Sequence, residues 1–216
     1  DVIERGRALH AQGWVVALMG DFERARDLMA EGLPIVRRHG TTQQIAWSLA
    51  EQGNVVFSLG DPVGSGELFR ESLELSRRID DPFLIGLSYF GLGYTAFLEG
   101  DLVGMRDWLN QSLAMTRHMY QPWGIAWAQF SLGVLAIIEG DMAGAEEPLR
   151  ESLEMRWGIR DARGLAESIQ LLATVASALG DVEWSALLHG AAELQREANG
   201  LTILPFLRPL HDESVE

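Results

Sequence analysis

The sequence of 216 residues contains no cysteine and no lysine, and each absence removes classes of function. Without cysteine the chain forms no disulfide and no thiolate metal site, and its redox compartment stays open. Because all 17 basic residues are arginine, a P-loop lysine and a Schiff-base mechanism are excluded. A net charge of −14 disfavours binding to DNA or RNA, where affinity comes mainly from neutralising phosphates, and docking on an anionic membrane.

Catalytic signatures are also missing. The GxxxxGK[ST], HExxH and GxSxG patterns do not occur, and the five histidines form no ligand cluster. A GxGxxA match at residues 91–96 lies inside a predicted helix, where it cannot meet a pyrophosphate. We therefore expect no enzymatic activity, no catalytic residue, no metal and no cofactor.

No targeting or membrane segment is apparent. The chain starts in a charged helical pattern rather than a signal peptide. Residues 118–138 lack charged side chains, but they contain glutamine and proline and fall in register with charged segments elsewhere, so we do not expect a membrane span. The expectation is a cytoplasmic protein.

What the sequence does contain is a repeat. Every Gly-Asp dipeptide belongs to one series with a 40-residue step, at residues 20–21, 60–61, 100–101, 140–141 and 180–181. Two further series keep the same step: Gly13, Gly53, Gly93, Gly133 and Ala173, and Gly32-Leu33, Ser72-Leu73, Ser112-Leu113 and Ser152-Leu153. A fixed period of this size is typical of solenoids and propellers. It predicts a repeat array over 1–200, with repeats at about 1–40, 41–80, 81–120, 121–160 and 161–200.

Each repeat is predicted to contain helix A, a tight Gly-Asp turn and helix B. Glycine tolerates the left-handed conformation that ends a helix, and the aspartate caps the next helix. Helix A then spans about 17 residues and helix B about 16, each roughly 25 Å long. The glycines inside helix A each cost up to about 1 kcal/mol relative to alanine. We infer that helix B packs there too closely for a Cβ atom.

This pattern resembles the tetratricopeptide (TPR) family, through Leu92-Gly93, Leu132-Gly133 and Leu172-Ala173 in helix A and the small residues Ala25 and Ala145 in helix B. The resemblance implies an all-α, right-handed superhelical solenoid of about five helix pairs. The 40-residue unit is longer than the usual 34 and is similar to the C-terminal arrays of large bacterial ATP-binding (STAND or LuxR-type) signal-transducing transcription regulators. Residues 201–216 break the repeat, and we expect an irregular tail that caps the array or docks elsewhere.

Arginines recur at the ends of the B helices, at Arg37, Arg77, Arg117 and Arg156. Positive charge at a helix C-terminus interacts favourably with the helix dipole, which is the simpler interpretation. The alternative is a ridge that binds an anion or an acidic partner.

In the TPR family helix A lines the concave face, and the resemblance therefore implies a binding surface there. Its predicted members are mostly aromatic: Trp14, Trp47, Asn54, Phe57, Phe90, Tyr94, Phe97, Trp127, Phe130 and Gln170. The helices at 83–98 and 123–138 are apolar nearly all round, which requires some form of cover. Either these aromatic side chains pack on one another, or they bind a ligand.

The leading hypothesis is a non-enzymatic binding or sensing module of a larger bacterial regulatory protein, with a protein, a peptide or a small molecule in the concave groove. The alternative is a structural or oligomerisation scaffold, in which a second copy covers the apolar faces. We expect no direct binding of nucleic acid and no membrane contact by this segment. The pattern does not identify the ligand.

Overall fold

The computed structural model describes residues 2–201, and within them the chain is all helix and turn, with no strand. Ten helices follow one another: α1 (Val2–Leu18), α2 (Phe22–His39), α3 (Thr42–Ser58), α4 (Pro62–Arg78), α5 (Pro82–Leu98), α6 (Leu102–His118), α7 (Pro122–Ile138), α8 (Met142–Gly158), α9 (Ala162–Ala178) and α10 (Val182–Asn199). The predicted cap from residue 201 onward lies outside the described residues, apart from Leu201.

The helices form five pairs with the predicted 40-residue period. The A helices are α1, α3, α5, α7 and α9, and the B helices are α2, α4, α6, α8 and α10. Each A helix packs against the B helix of its own repeat. The prediction of an all-α array of helix pairs is confirmed.

The Gly-Asp turns have the predicted geometry. All five glycines have positive φ values, between 76° and 88°. Each following aspartate caps a B helix by accepting a hydrogen bond from the backbone N–H three residues on, as at Asp61 Oδ1 and Gly64 N, 2.9 Å apart. The glycine ends one helix and the aspartate begins the next, so the dipeptide fixes the period.

The interior glycines of the A helices lie against large side chains of the B helices. A Cβ atom built on Gly53 would lie 2.9 Å from the Phe69 ring, and one on Gly133 would lie 2.6 Å from Leu149 Cγ. The contact at Gly93 is looser, at 3.2 Å from Leu109 Cγ. The inference of close helix packing is therefore confirmed, because real Cβ atoms essentially never lie within 3.0 Å of another heavy atom in this way.

The serine series in the B helices joins the two helices of a repeat. Ser72 Oγ donates to the Ala46 carbonyl oxygen at 2.8 Å, and Ser112 Oγ donates to the Gly86 carbonyl oxygen at 2.9 Å. Both hydroxyls are buried and therefore need a partner. A serine at this register donates its hydroxyl hydrogen bond to the backbone of the facing helix, and its small side chain lets the two helices approach closely.

The chain divides into two compact units, and the boundary falls between two repeats. Unit 1 contains α1–α6 and unit 2 contains α7–α10. In unit 1, α2 packs on α3, α4 packs on α5, and neighbouring A helices also touch. In unit 2, α8 packs on α9 and α7 touches α9. None of the described helices is long and apolar enough to span a bilayer.

Candidate ligand-binding site on the A helices

The A helices of unit 1 carry two groups of aromatic side chains. Trp47 of α3 stacks on Phe83 of α5, with ring centres 5.6 Å apart and planes inclined by 11°. Tyr94 of α5 meets Phe57 of α3 edge-on at 5.3 Å and Phe90 at 4.8 Å. Four of the predicted site residues thus contact an aromatic neighbour. The structure places Trp47 at 41% exposure, so much of its indole remains available to a ligand.

The other predicted residues of unit 1 are spread along α1, α3 and α5. Trp14 on α1 and Phe97 at the end of α5 are exposed, and Asn54 on α3 is half-buried. Phe83 was not among the predicted site residues. It lies in the first turn of its helix at the register of Trp123, one repeat later, and that pair of aromatic residues was the available signal.

In unit 2 the predicted site residues are largely interior. Phe130 is 0% exposed and Gln170 is 1% exposed, so neither reaches a ligand at the surface. Gln170 accepts a hydrogen bond from Arg196 Nη1 at 3.2 Å, and its Nε2 lies 3.1 Å from His189 Nδ1. Trp127 is half-buried, with its ring centre 6.1 Å from that of Phe130. Burial gives these side chains a packing role in the structure.

Phe130 and Trp127 surround a guanidinium that belongs to the chain itself. Arg156, at the end of α8, is 0% exposed, and its Cζ lies 4.5 Å from the ring centre of Phe130 and 4.8 Å from that of Trp127. Its Nη1 donates to Glu167 Oε2 of α9 at 3.2 Å, and Asp161 Oδ2 lies 4.0 Å away. Burial raises the pKa of Glu167, although Arg156 opposes that shift. Arg156 therefore lies at a helix C-terminus, as the simpler interpretation states, but it is also buried and paired with Glu167, which that interpretation did not include.

Gly164 makes room for this guanidinium. A Cβ atom at Gly164 would lie 2.1 Å from Arg156 Nη1 and 2.2 Å from Asp161 Oδ2. Arg156 Nε and Nη2, and Glu167 Oε1, are buried and make no hydrogen bond. The two aromatic rings, the Glu167 carboxylate and, at longer range, the Asp161 carboxylate offset the desolvation of the charge.

The helix-end arginines of unit 1 are engaged within the unit. Arg37 Nη2 donates to Glu71 Oε2 at 2.6 Å, and Arg77 Nη2 donates to the Tyr89 hydroxyl at 2.9 Å. Arg77 also lies over the Tyr89 ring, with Cζ 5.7 Å from its centre. These contacts favour a local role over an anion-binding ridge.

Unit 1 contains an open pocket of about 560 Å³ between α1 and α3. Trp47, His10 and Glu51 line it, together with Val36 of α2 and the side chains of Glu4, Arg7, Ala8, Ala11, Gln43, Gln44 and Ser48. The pocket lies beside the predicted aromatic surface and shares Trp47 with it. His10 and Glu51 were not among the predicted site residues.

Two ionisable groups of the pocket are removed from water. His10 is 3% exposed, and burial lowers its pKa to about 4, so it is neutral at pH 7. Both of its ring nitrogens lack a hydrogen-bond partner, and Nδ1 lies 3.8 Å from Glu51 Oε2. Burial also raises the pKa of Glu51, and a hydrogen bond from Trp47 opposes that shift. The pocket thus presents a carboxylate and a neutral imidazole beside an indole ring.

No group of histidine, cysteine and carboxylate side chains able to hold a metal occurs within residues 2–201. The pocket of unit 1 presents a carboxylate, a neutral imidazole and an indole face, all of which can make reversible contacts with a ligand. Its chemistry suits reversible recognition.

Comparison with known proteins identifies the fold. No protein-family model matches the chain, and no curated protein sequence matches it. Solved structures do match. A Rap protein in complex with competence and sporulation factor superimposes with a TM-score of 0.80 at 12% identity, over 88% of this chain and 53% of that one.

Two further structures cover most of both chains. BtubC (BKLC) from P. vanneervenii gives a TM-score of 0.77 at 17% identity, over 94% of this chain and 85% of that one. A thermophilic TPR protein from Thermus thermophilus gives 0.66 at 14% identity, over 97% and 98%. At such identities the likeness defines the fold alone. The chain has a TPR-like helical repeat fold.

Proposed function

We propose that the chain is a non-enzymatic recognition module of a larger bacterial regulatory protein in the cytoplasm, and that it binds a protein or peptide segment on the A helices of unit 1. The observation that carries the proposal is the partly exposed Trp47, which stacks on Phe83 at the edge of an open pocket. Aromatic side chains held rigidly in this way lose little entropy on binding and often dominate recognition energies.

The composition of the surface supports a peptide over an anionic polymer. Carboxylates at Glu4 and Glu51 line the pocket, and the net charge of −14 repels phosphate backbones. The solved structure of a Rap protein, of similar fold, is a complex with competence and sporulation factor. That complex shows that a fold of this kind accommodates a partner.

The test is to pan a displayed random-peptide library against the protein and to measure selected peptides by fluorescence anisotropy. Trp47→Ala should weaken binding by roughly 30-fold, which corresponds to a hot-spot loss of about 2 kcal/mol. The matched control is Trp157→Ala, because Trp157 on α8 is exposed and lies in unit 2. The helical circular-dichroism signal should persist in both variants.

Failure has a definite form. Selected peptides that bind Trp47→Ala and Trp157→Ala equally well, or a library that yields no binder, contradict the proposal. Unfolding of Trp47→Ala would make Trp47 a core residue, in spite of its exposure.

A second candidate is a scaffold that associates with its own copy. The observation in its favour is the apolar face of α10, where Trp184, Leu187 and Leu194 are exposed at helical spacing. Sedimentation at micromolar concentration separates the candidates. A dimer that Leu187→Glu converts to a soluble monomer favours the scaffold, whereas a soluble monomer from the outset excludes it.

A further inference from the structure

The pocket of unit 1 and the buried arginine of unit 2 occupy the same register of the repeat. Val36, His10 and Arg7 lie three 40-residue repeats before Arg156, Phe130 and Trp127. Trp47 stands at the register of Glu167 in the same way. In both units these positions surround one space, where two A helices meet the end of the B helix between them.

The two spaces differ in what fills them. In unit 2 the guanidinium of Arg156 lies between aromatic rings and donates to a carboxylate. In unit 1 the short Val36 side chain cannot reach across, and a pocket of about 560 Å³ remains. The fold therefore contains one space of this kind that its own chain fills with a guanidinium, and another that it leaves open.

The open space keeps the two kinds of group that hold Arg156 in the filled one. Trp47 supplies an indole face, stiffened by its stack on Phe83. Glu51 supplies a carboxylate that is partly removed from water, and no arginine or lysine side chain pairs with it in the described structure. The pocket's one arginine, Arg7, is already bound to Glu4 at 2.9 Å.

His10 adds a polar demand that the protein does not meet. Both ring nitrogens of this nearly fully buried side chain lack a hydrogen-bond partner, and a buried polar atom left unpaired costs about 1–3 kcal/mol. The neutral ring has one acceptor nitrogen, which suits a donor-rich ligand better than an anionic one.

We infer that the pocket between α1 and α3 binds the guanidinium of an arginine side chain in the partner peptide, against Trp47 and Glu51. This inference rests on the proposed function and names one group that the surface recognises. Guanidinium fits better than ammonium, because it is planar, stacks on an indole and carries five N–H donors for several acceptors. An anionic group would face the two carboxylates of Glu4 and Glu51, with Arg7 as the one arginine that lines the pocket.

The test uses N-acetyl-L-arginine methylamide as the probe and the indole N–H signal of Trp47 as the readout. The chain has seven tryptophans, and the Trp47→Phe variant identifies the signal. The citrulline analogue, which replaces guanidinium with a neutral urea of nearly the same shape, is the matched ligand control. The arginine probe should move the Trp47 signal saturably, with citrulline weaker by about tenfold or more. Once the signal is assigned, both ligands are compared on the unmutated protein.

Variants then locate the contact. Glu51→Gln should weaken the arginine probe by about tenfold or more. Glu67→Gln removes the same charge from an exposed site on α4 and should leave binding unchanged. The lysine analogue and leucine methylamide, which carry side-chain and terminal ammonium groups, should both bind more weakly than arginine.

Equal binding of arginine and citrulline, no effect of Glu51→Gln in a folded protein, or tighter binding of either ammonium probe would overturn the inference. Peptides that depend on Trp47 but not on their own arginines would refute it while leaving the proposed function intact. If the arginine probe binds at Trp47 but no peptide can be selected, the guanidinium site is supported and the proposed function is refuted.

Discussion

The two units solve the same packing problem in different ways. Unit 2 fills the space between its A helices with Arg156 and holds the charge with Glu167, Phe130 and Trp127. Unit 1 has Val36 at that register and keeps a pocket with Glu51 and Trp47 on its wall. A long side chain at this register, with different neighbours around it, closes the interior of unit 2, whereas a short one in unit 1 leaves a pocket. The repeat preserves the backbone while its side chains diverge.

The largest expected effect concerns the filled space. Arg156→Ala removes the hydrogen-bonded ion-pair partner of the buried Glu167 and should destabilise the protein by about 3–5 kcal/mol. Arg150→Ala, on the exposed face of the same helix, is the control and should change stability by less than about 0.5 kcal/mol. Chemical denaturation measures both.

An uncharged replacement sharpens this test. Arg156→Met together with Glu167→Leu should recover most of the lost stability, because apolar side chains of similar volume often replace a buried ion pair at no cost. If the free energy of unfolding of Arg156→Ala lies within about 1 kcal/mol of that of the parent protein, the buried ion pair is not what stabilises unit 2.

The next effect concerns packing that both units share. Gly53→Leu in unit 1 and Gly133→Leu in unit 2 should each destabilise by about 1–3 kcal/mol or more through overpacking, because a Cβ already collides with Phe69 or Leu149. Gly190 lies in a helix with nothing within 4 Å of its Cβ position, so Gly190→Leu is the control and should be neutral or stabilising. Equal tolerance at all three sites, in thermal melts, would refute close packing.

A smaller effect is the pH dependence of stability that His10 gives to unit 1, since unit 2 has a phenylalanine at the same register. The pKa of His10 falls from 6.5 to about 4 on folding, so the unfolded chain binds more protons between these values. Stability should therefore fall as the pH drops from 7 to 5, by roughly 1–2 kcal/mol from this residue. Glu51, whose pKa is raised, contributes with the opposite sign: its ionised form costs stability as the pH rises above 4.5.

His10→Phe isolates the histidine, because Phe130 occupies the same register in unit 2. The difference in unfolding free energy between parent and variant cancels the carboxylates distant from His10, but it retains the coupling to Glu51, which lies 3.8 Å from Nδ1. The stability of the parent relative to the variant should fall between pH 7 and pH 5, and a constant difference would show that folding does not lower the pKa of His10.

The fold was predictable because its determinants are local. Gly60 and Asp61 specify a turn by themselves, and the 40-residue recurrence fixed the helix pairs and the packing at Gly133. The TPR resemblance predicted that aromatic residues of the A helices share one surface, and Trp47 and Tyr94 do contact aromatic residues of a neighbouring A helix. The binding role of that surface remains a prediction.

The pocket was not predictable in the same way, because it depends on the size of the side chain at one buried position of the repeat, and the repeat pattern does not specify that size. Arg156 was grouped with Arg117, yet it stands one residue earlier in the repeat, at the buried register of Val36 and Thr116. One residue rotates a side chain by about 100° around a helix, which turns a solvated charge into an interior one. The exposed Trp157 holds the register of Arg117, and that displacement was the available signal.

The most direct test of the account is to transfer the filled arrangement into unit 1. Val36→Arg places a guanidinium at the register of Arg156, facing Glu51 and Trp47. Binding of N-acetyl-L-arginine methylamide, followed at the Trp47 indole signal, should be lost in a variant that keeps its helical circular-dichroism signal, because the pocket is already occupied. A folded Val36→Arg protein that binds the probe as tightly as the parent does would contradict the claim that the two spaces are equivalent.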